Sequence, residues 1–158
     1  MTQKLLELNE STTDQLVVIR EFAAPKKLVF AVLTQHEHIK KWNCPKNFVV
    51  TFSEGELKVG NTYKYAMQSE SREGPEIVLT GEYREINPPD KVVYTQTAVR
   101  PDGNMGPETI ITITLEEKNG KTQMVFRHTG FPAKEWRNNA LFGWNQAFDK
   151  FEAHLAEI

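Results

Sequence analysis

A chain of 158 residues, 39% hydrophobic and 25% charged, has the composition of an ordinary globular protein and the length to bury a core. Its formal charge of -2, with no run of Lys or Arg, argues against nucleic acid as the main partner. No apolar stretch approaches the roughly 18 residues of a membrane span, and Cys44, the single cysteine, leaves no internal disulfide.

The first 14 residues (MTQKLLELNESTTD) lack a basic region followed by an apolar one, so no secretory signal and a cytoplasmic location are expected. They are read as an N-terminal extension, with residues 15–158 forming one domain. Residues 15–22, rich in Leu, Val and Ile and ending near Arg20 and Glu21, predict a first strand. Ala23-Ala24-Pro25 then opens a helix in which Leu28, Val29, Val32 and Leu33 recur at helical spacing. Thr34-Gln35 breaks it. Residues 36–42 form a second short helix, which Pro45 keeps from continuing.

From Phe48 the pattern changes to period two. Strands are predicted over residues 48–53, 62–68, 77–86, 91–99, 109–117 and 121–129. Tyr63, Tyr65 and Met67 share one face of the second of these. Gly81, inside the third, marks a place where the sheet curls or something approaches closely. Residues 100–107 (RPDGNMGP) predict a mobile loop, and Asn119-Gly120 predicts a tight hairpin, because both central residues of a type I′ turn need φ > 0. In the last strand Met124, Phe126 and His128 share a face, with Gln123, Val125 and Arg127 on the other.

Residues 132–158 read as one long amphipathic helix. At 100° per residue, Trp136, Ala140, Leu141, Trp144, Ala147, Phe148, Phe151, Leu155 and Ile158 fall on one broad stripe. Large aromatic side chains on that stripe suit a concave partner, which a long twisted antiparallel sheet supplies by curling. The expected fold is therefore α+β: a strand, two short helices, an antiparallel meander, and a helix held by the curled sheet. Side chains need not fill the space between sheet and helix, and that is the route from this pattern to a pocket.

The ordered landmarks resemble a known family. Ile19-Arg20, then Ala24-Pro25-Lys26-Lys27-Leu28-Val29-Phe30-Ala31-Val32-Leu33-Thr34 and His38-Ile39-Lys40-Lys41-Trp42, are similar to the opening of START-like (SRPBCC, helix-grip) proteins. Within that superfamily they resemble the family related to the C-terminal domain of the activator of heat-shock protein 90 ATPase. Leu57-Lys58-Val59-Gly60, Gly81-Glu82-Tyr83-Arg84-Glu85-Ile86-Asn87-Pro88-Pro89, His128-Thr129-Gly130-Phe131-Pro132 and Gly143-Trp144 continue the series. The resemblance implies a seven-stranded antiparallel sheet gripping the terminal helix around a central cavity. Two departures, Trp42-Asn43-Cys44-Pro45 in place of Trp-Trp-Gly-Pro and Asn61 in place of a second Gly, fall near the expected entrance. Ligand preference is therefore not carried over.

Tyr63, Tyr65, Tyr83, His128, Arg137 and Trp144 are the expected lining of the pocket. His128 is either a core histidine satisfied by a hydroxyl or carbonyl, or a group that contacts ligand. The tyrosines and Trp144 combine apolar bodies with polar tips, which suits core packing and an apolar ligand alike. Arg137 lies within the apolar stripe, to snorkel or to anchor a carboxylate at the pocket mouth. Phe142 lies off the stripe, and Gly143 costs ~1 kcal/mol in mid-helix relative to Ala.

His36 and His38 are two apart and share no helix face, and no Cys/His cluster has metal spacing, so neither a metal nor a cofactor is expected. Cys44 has no base nominated beside it. No nucleophile elbow, phosphate loop or dinucleotide fingerprint is present, and no catalytic residue is assigned. The leading functional reading is a module, monomeric or homodimeric, that binds a small hydrophobic or lipid molecule. The resemblance also implies an interaction with a chaperone ATPase of the heat-shock protein 90 type, or a cyclase or hydrolase using His128 and a tyrosine for acid–base work.

Overall fold

The computed structural model describes residues 14–158, so the expected N-terminal extension lies, but for Asp14, outside the described residues. The elements are β1 (Gln15–Phe22), α1 (Lys26–Thr34), α2 (His36–Trp42), β2 (Phe48–Gly55), β3 (Thr62–Ser69), β4 (Ile77–Asn87), β5 (Lys91–Val99), β6 (Thr109–Lys118), β7 (Lys121–Thr129) and α3 (Lys134–Ala156). The seven strands form one sheet in the order β1-β7-β6-β5-β4-β3-β2, with every neighbouring pair antiparallel. Strands β2 to β7 are a meander. β1 pairs with the far end of that meander, Leu16 opposite His128 and Phe22 opposite Thr122. The helices α1 and α2 therefore carry the chain from one sheet edge to the other.

The sheet curls because its ladder is interrupted. Register shifts occur between Val50 and Phe52 and between Tyr83 and Glu85, and such bulges bend and twist a strand. At Gly81 the departure is larger. The pairs Thr80 with Thr97 and Tyr83 with Tyr94 flank a gap in the ladder. There Glu82 N–H donates to Thr95 Oγ1 at 2.9 Å, and the Tyr63 hydroxyl donates to the Thr95 carbonyl at 2.6 Å. A Cβ on Gly81 would stand 1.8 Å from that carbonyl oxygen and 2.6 Å from the Tyr63 ring, so the bend exists only with glycine there. The hairpin between β6 and β7 turns through Asn119 (φ 55) and Gly120 (φ 77), both in the left-handed region that the dipeptide predicts.

The concave face grips α3 through tilted and edge-to-face aromatic rings. Phe151 meets Phe22 at 4.8 Å and Trp42 at 5.0 Å between centroids, and Phe126 meets Trp144 at 4.6 Å and Phe148 at 5.1 Å. Such pairs favour tilted and edge-to-face geometry over flat stacking. Trp42 closes the core from α2, its indole N–H donating to Val32 O at 2.9 Å. The polar side of α3 is tied to β1 by Arg20, which donates to Asp149 Oδ1 at 2.8 Å and Asn145 O at 2.9 Å. Only the middle of the expected stripe is buried, at Trp144, Ala147, Phe148 and Phe151. Ile158 lies beyond the last helical turn and is 58% exposed. Trp136, at 48% exposed, flanks an unfilled space. Among the described residues no helix is long and apolar enough to cross a membrane.

Candidate functional site

A cavity of about 390 Å³ remains between α3 and the sheet. Tyr65 and Met67 of β3, Leu79 of β4 and Gln96 and Ala98 of β5 form one side, continued by Thr109 of β6 and His128 of β7. Trp136, Asn139, Ala140, Gly143, Trp144 and Ala147 of α3 form the other. Asn43, Cys44 and Pro45 after α2, with Pro107 and Phe131, close it. Strand alternation places the sheet residues and the 3.6-residue period places the helix residues. Ala140, Gly143 and Ala147 are small, so the helix backbone itself forms a wall.

His128 sits at the centre of a continuous hydrogen-bond chain. The Trp144 indole N–H donates to His128 Nδ1 at 3.0 Å. Because Nδ1 must accept, the ring proton is on Nε2, which donates to Thr109 Oγ1 at 2.7 Å. The Thr109 hydroxyl then donates to the Gln96 carbonyl at 2.9 Å. Neither ring nitrogen is left to exchange a proton with a guest, so the arrangement is that of a satisfied core histidine. Burial lowers the His128 pKa from 6.5 to about 3.

That shift has a stability consequence with a definite sign. The unfolded chain takes up a proton at His128 near pH 6.5, whereas the folded chain resists it until about pH 3. Stability from this residue is therefore complete above pH 6.5 and is lost as pH falls toward 3. At ~1.4 kcal/mol per unit, the wild type should lose about 2–3 kcal/mol more than His128→Gln between pH 6.5 and 4.5. Denaturant melts of both proteins at the two pH values measure this, and equal losses would contradict it.

Tyr63 and Tyr83 occupy a second, smaller chamber of about 30 Å³ on the α1–α2 side, which Tyr65 shares with the larger cavity. Tyr63 packs on Tyr83 and Tyr94, each at 5.5 Å between centroids. Burial raises the hydroxyl pKa values of Tyr63, Tyr65 and Tyr94, and pushes Tyr83 up to about 12. These groups are neutral hydrogen-bonding phenols. Arg137 lines neither chamber; its guanidinium donates to Asn138 Oδ1 at 2.9 Å. Of the expected lining residues, the large cavity gathers Tyr65, His128 and Trp144.

Cys44 is on its wall as well, 4% exposed. Its neighbour is Lys150, whose ammonium donates to Cys44 Sγ at 3.2 Å, Pro45 O at 2.8 Å and Phe48 O at 3.0 Å. All three donors are committed, so Lys150 fastens the α2–β2 connection to α3 and is no free base. Burial raises the Cys44 pKa, opposed by Lys150. His36 bonds to Ser53 Oγ and His38 to His154 Nε2 at 2.9 Å, on separate faces as their spacing requires. Among the described residues no group of three or more His, Cys, Asp or Glu is placed to hold a metal ion.

Comparison with known proteins supplies the lineage. Residues 23–156 match the family model described as Activator of Hsp90 ATPase homolog 1-like protein, from before α1 to the last turn of α3. The structure is similar to a protein of Chromobacterium violaceum with a TM-score of 0.81 at 24% identity, over 90% of this chain and 96% of that one. It is similar to a protein of Silicibacter pomeroyi with a TM-score of 0.80 at 22% identity, over 90% and 97%. A Staphylococcus epidermidis protein gives 0.77 at 24% identity, over 94% and 93%. The comparison with curated proteins finds no match. With a helix-grip fold and a family match running through all but its first strand, the chain belongs to the Activator of Hsp90 ATPase homolog 1-like family.

Proposed function

We propose that this protein binds a small, largely apolar molecule between its sheet and α3. The supporting observation is the cavity itself. Its volume of about 390 Å³ falls within the roughly 300–1,000 Å³ typical of small-molecule sites. Its wall is built from Met67, Leu79, Phe131, Trp144 and the bare backbone of α3. Apolar burial at roughly 25 cal/mol per Å² drives binding, with a few polar groups setting orientation. Tyr65, His128 and Trp144 are the contacts; Tyr63 and Tyr83 support them from the smaller chamber.

The test uses the single cysteine as a reporter. A bound molecule raises the unfolding temperature with concentration by mass action, about 2.7 kcal/mol of stabilisation at 100 times Kd. Because Cys44 lines the cavity, the same molecule slows its alkylation by N-ethylmaleimide. A panel of hydrophobic compounds in which none does either would remove the proposal. A second reading takes the family description at its word, as stimulation of an Hsp90-type ATPase. Phe142, 69% exposed on α3 and outside the cavity, is where such a partner would find apolar surface. Turnover of that ATPase with and without the protein separates the two.

A further inference from the structure

The cavity wall holds no Asp, Glu, Lys or Arg among the described residues. Most of its polar groups are spent on one another. Trp144, His128 and Thr109 form the chain that ends on the Gln96 carbonyl. The Asn43 side chain hydrogen-bonds the Tyr65 hydroxyl. The Cys44 thiol donates to Phe48 O, and the nearest ammonium, that of Lys150, is committed behind Cys44.

Two carboxamides remain, together with the indole N–H of Trp136, which is 48% exposed at the rim and can only donate. Asn139 is exposed on the rim, where water satisfies it. Gln96 is half-buried and shares the concave face of β5 with Val92 and Tyr94. Its side-chain amide has no hydrogen-bond partner among the described residues. A carboxamide presents two N–H donors and a carbonyl acceptor with no net charge. It can receive a ligand's amide, carbonyl or hydroxyl, but it cannot neutralise an ion. An ionised carboxylate or ammonium entering this wall would shed its hydration without a counter-charge, which costs several kcal/mol.

We propose that the cavity selects uncharged ligands and that the Gln96 carboxamide is the polar group that orients them, an inference that rests on the cavity being a ligand site. Four probes of one skeleton test it by isothermal titration at pH 7: biphenyl, biphenyl-4-carboxamide, biphenyl-4-carboxylate and 4-phenylbenzylamine. The carboxamide should bind about 100-fold more tightly than either ion. Gln96→Leu, at an unchanged unfolding temperature, should weaken the carboxamide about 10-fold, while biphenyl, which offers no polar group to Gln96, binds the more apolar wall at least as tightly. Carboxylate affinity within about threefold of the carboxamide would overturn the charge selection. A carboxamide indifferent to Gln96→Leu would overturn the role of Gln96. If neither biphenyl nor its carboxamide binds, the failure lies with the ligand site itself and the inference falls with it.

Discussion

Gly81→Ala is expected to lower the unfolding temperature by about 8–16 °C, corresponding to about 4 kcal/mol in a protein of this size. Replacing a strand glycine with alanine normally helps, because glycine gives up more backbone freedom on folding. Here the added methyl would lie 1.8 Å from the Thr95 carbonyl oxygen, a backbone atom that no rotamer change can move aside. Relief requires β4 and β5 to part, and two bonds go with them. Tyr63 Oη–H to Thr95 O and Glu82 N–H to Thr95 Oγ1 both depend on that approach. Overpacking costs about 1–3 kcal/mol and a buried phenol left without its acceptor about 1–3 kcal/mol more. Differential scanning calorimetry measures the sum. An unchanged or raised unfolding temperature would mean that the sheet does not bend at this residue.

How far the fold is legible follows from which features are local. The alternation in residues 91–99 and 121–129 sets β5 and β7 residue for residue. Asn119-Gly120 fixes the β6–β7 register as well. Strand β2 runs to Gly55, two residues past its expected end, because Glu54 and Gly55 pair with Lys64 and Tyr63 through the backbone while neither carries an apolar side chain that would mark a strand. The candidate site divides the same way. His128 and Trp144 are readable because one strand phase and one helix phase place them. Thr109 could have been found too: the hairpin register sets Ile111 opposite His128, and Thr109 stands two residues on along the same face.

What stays hidden depends on contacts far apart in sequence. Alternation assigns Tyr63 and Tyr65 to one face, but the roughly 7 Å between residues two apart on a strand is enough to put Tyr63 outside the larger cavity. Arg137 has nearly the helical phase of Trp144 but lies about 10 Å nearer the helix start. Its guanidinium donates to Asn138 Oδ1, and the residue stays outside the cavity lining. Cys44 reaches the wall only through the α2–β2 connection, which no local pattern announces; alternation puts Gln96 on the concave face of β5, and only the closing of the sheet over α3 brings it into the wall.

Gly143 bears on the central claim that the space beneath α3 is real and holds a guest. A mid-helix glycine costs ~1 kcal/mol relative to Ala. A Cβ there would meet only Pro45 Cγ, at 3.7 Å, and the residue lines the cavity. A larger side chain at this position has open volume to enter. The direct measurement is therefore isothermal titration of Gly143→Leu with the tightest ligand of the wild type, alongside its unfolding temperature. The expected result is affinity lower by about 100-fold, on the order of 3 kcal/mol, with stability kept or raised by up to ~1 kcal/mol. Undiminished affinity, or a protein destabilised as an overfilled core would be, would contradict it.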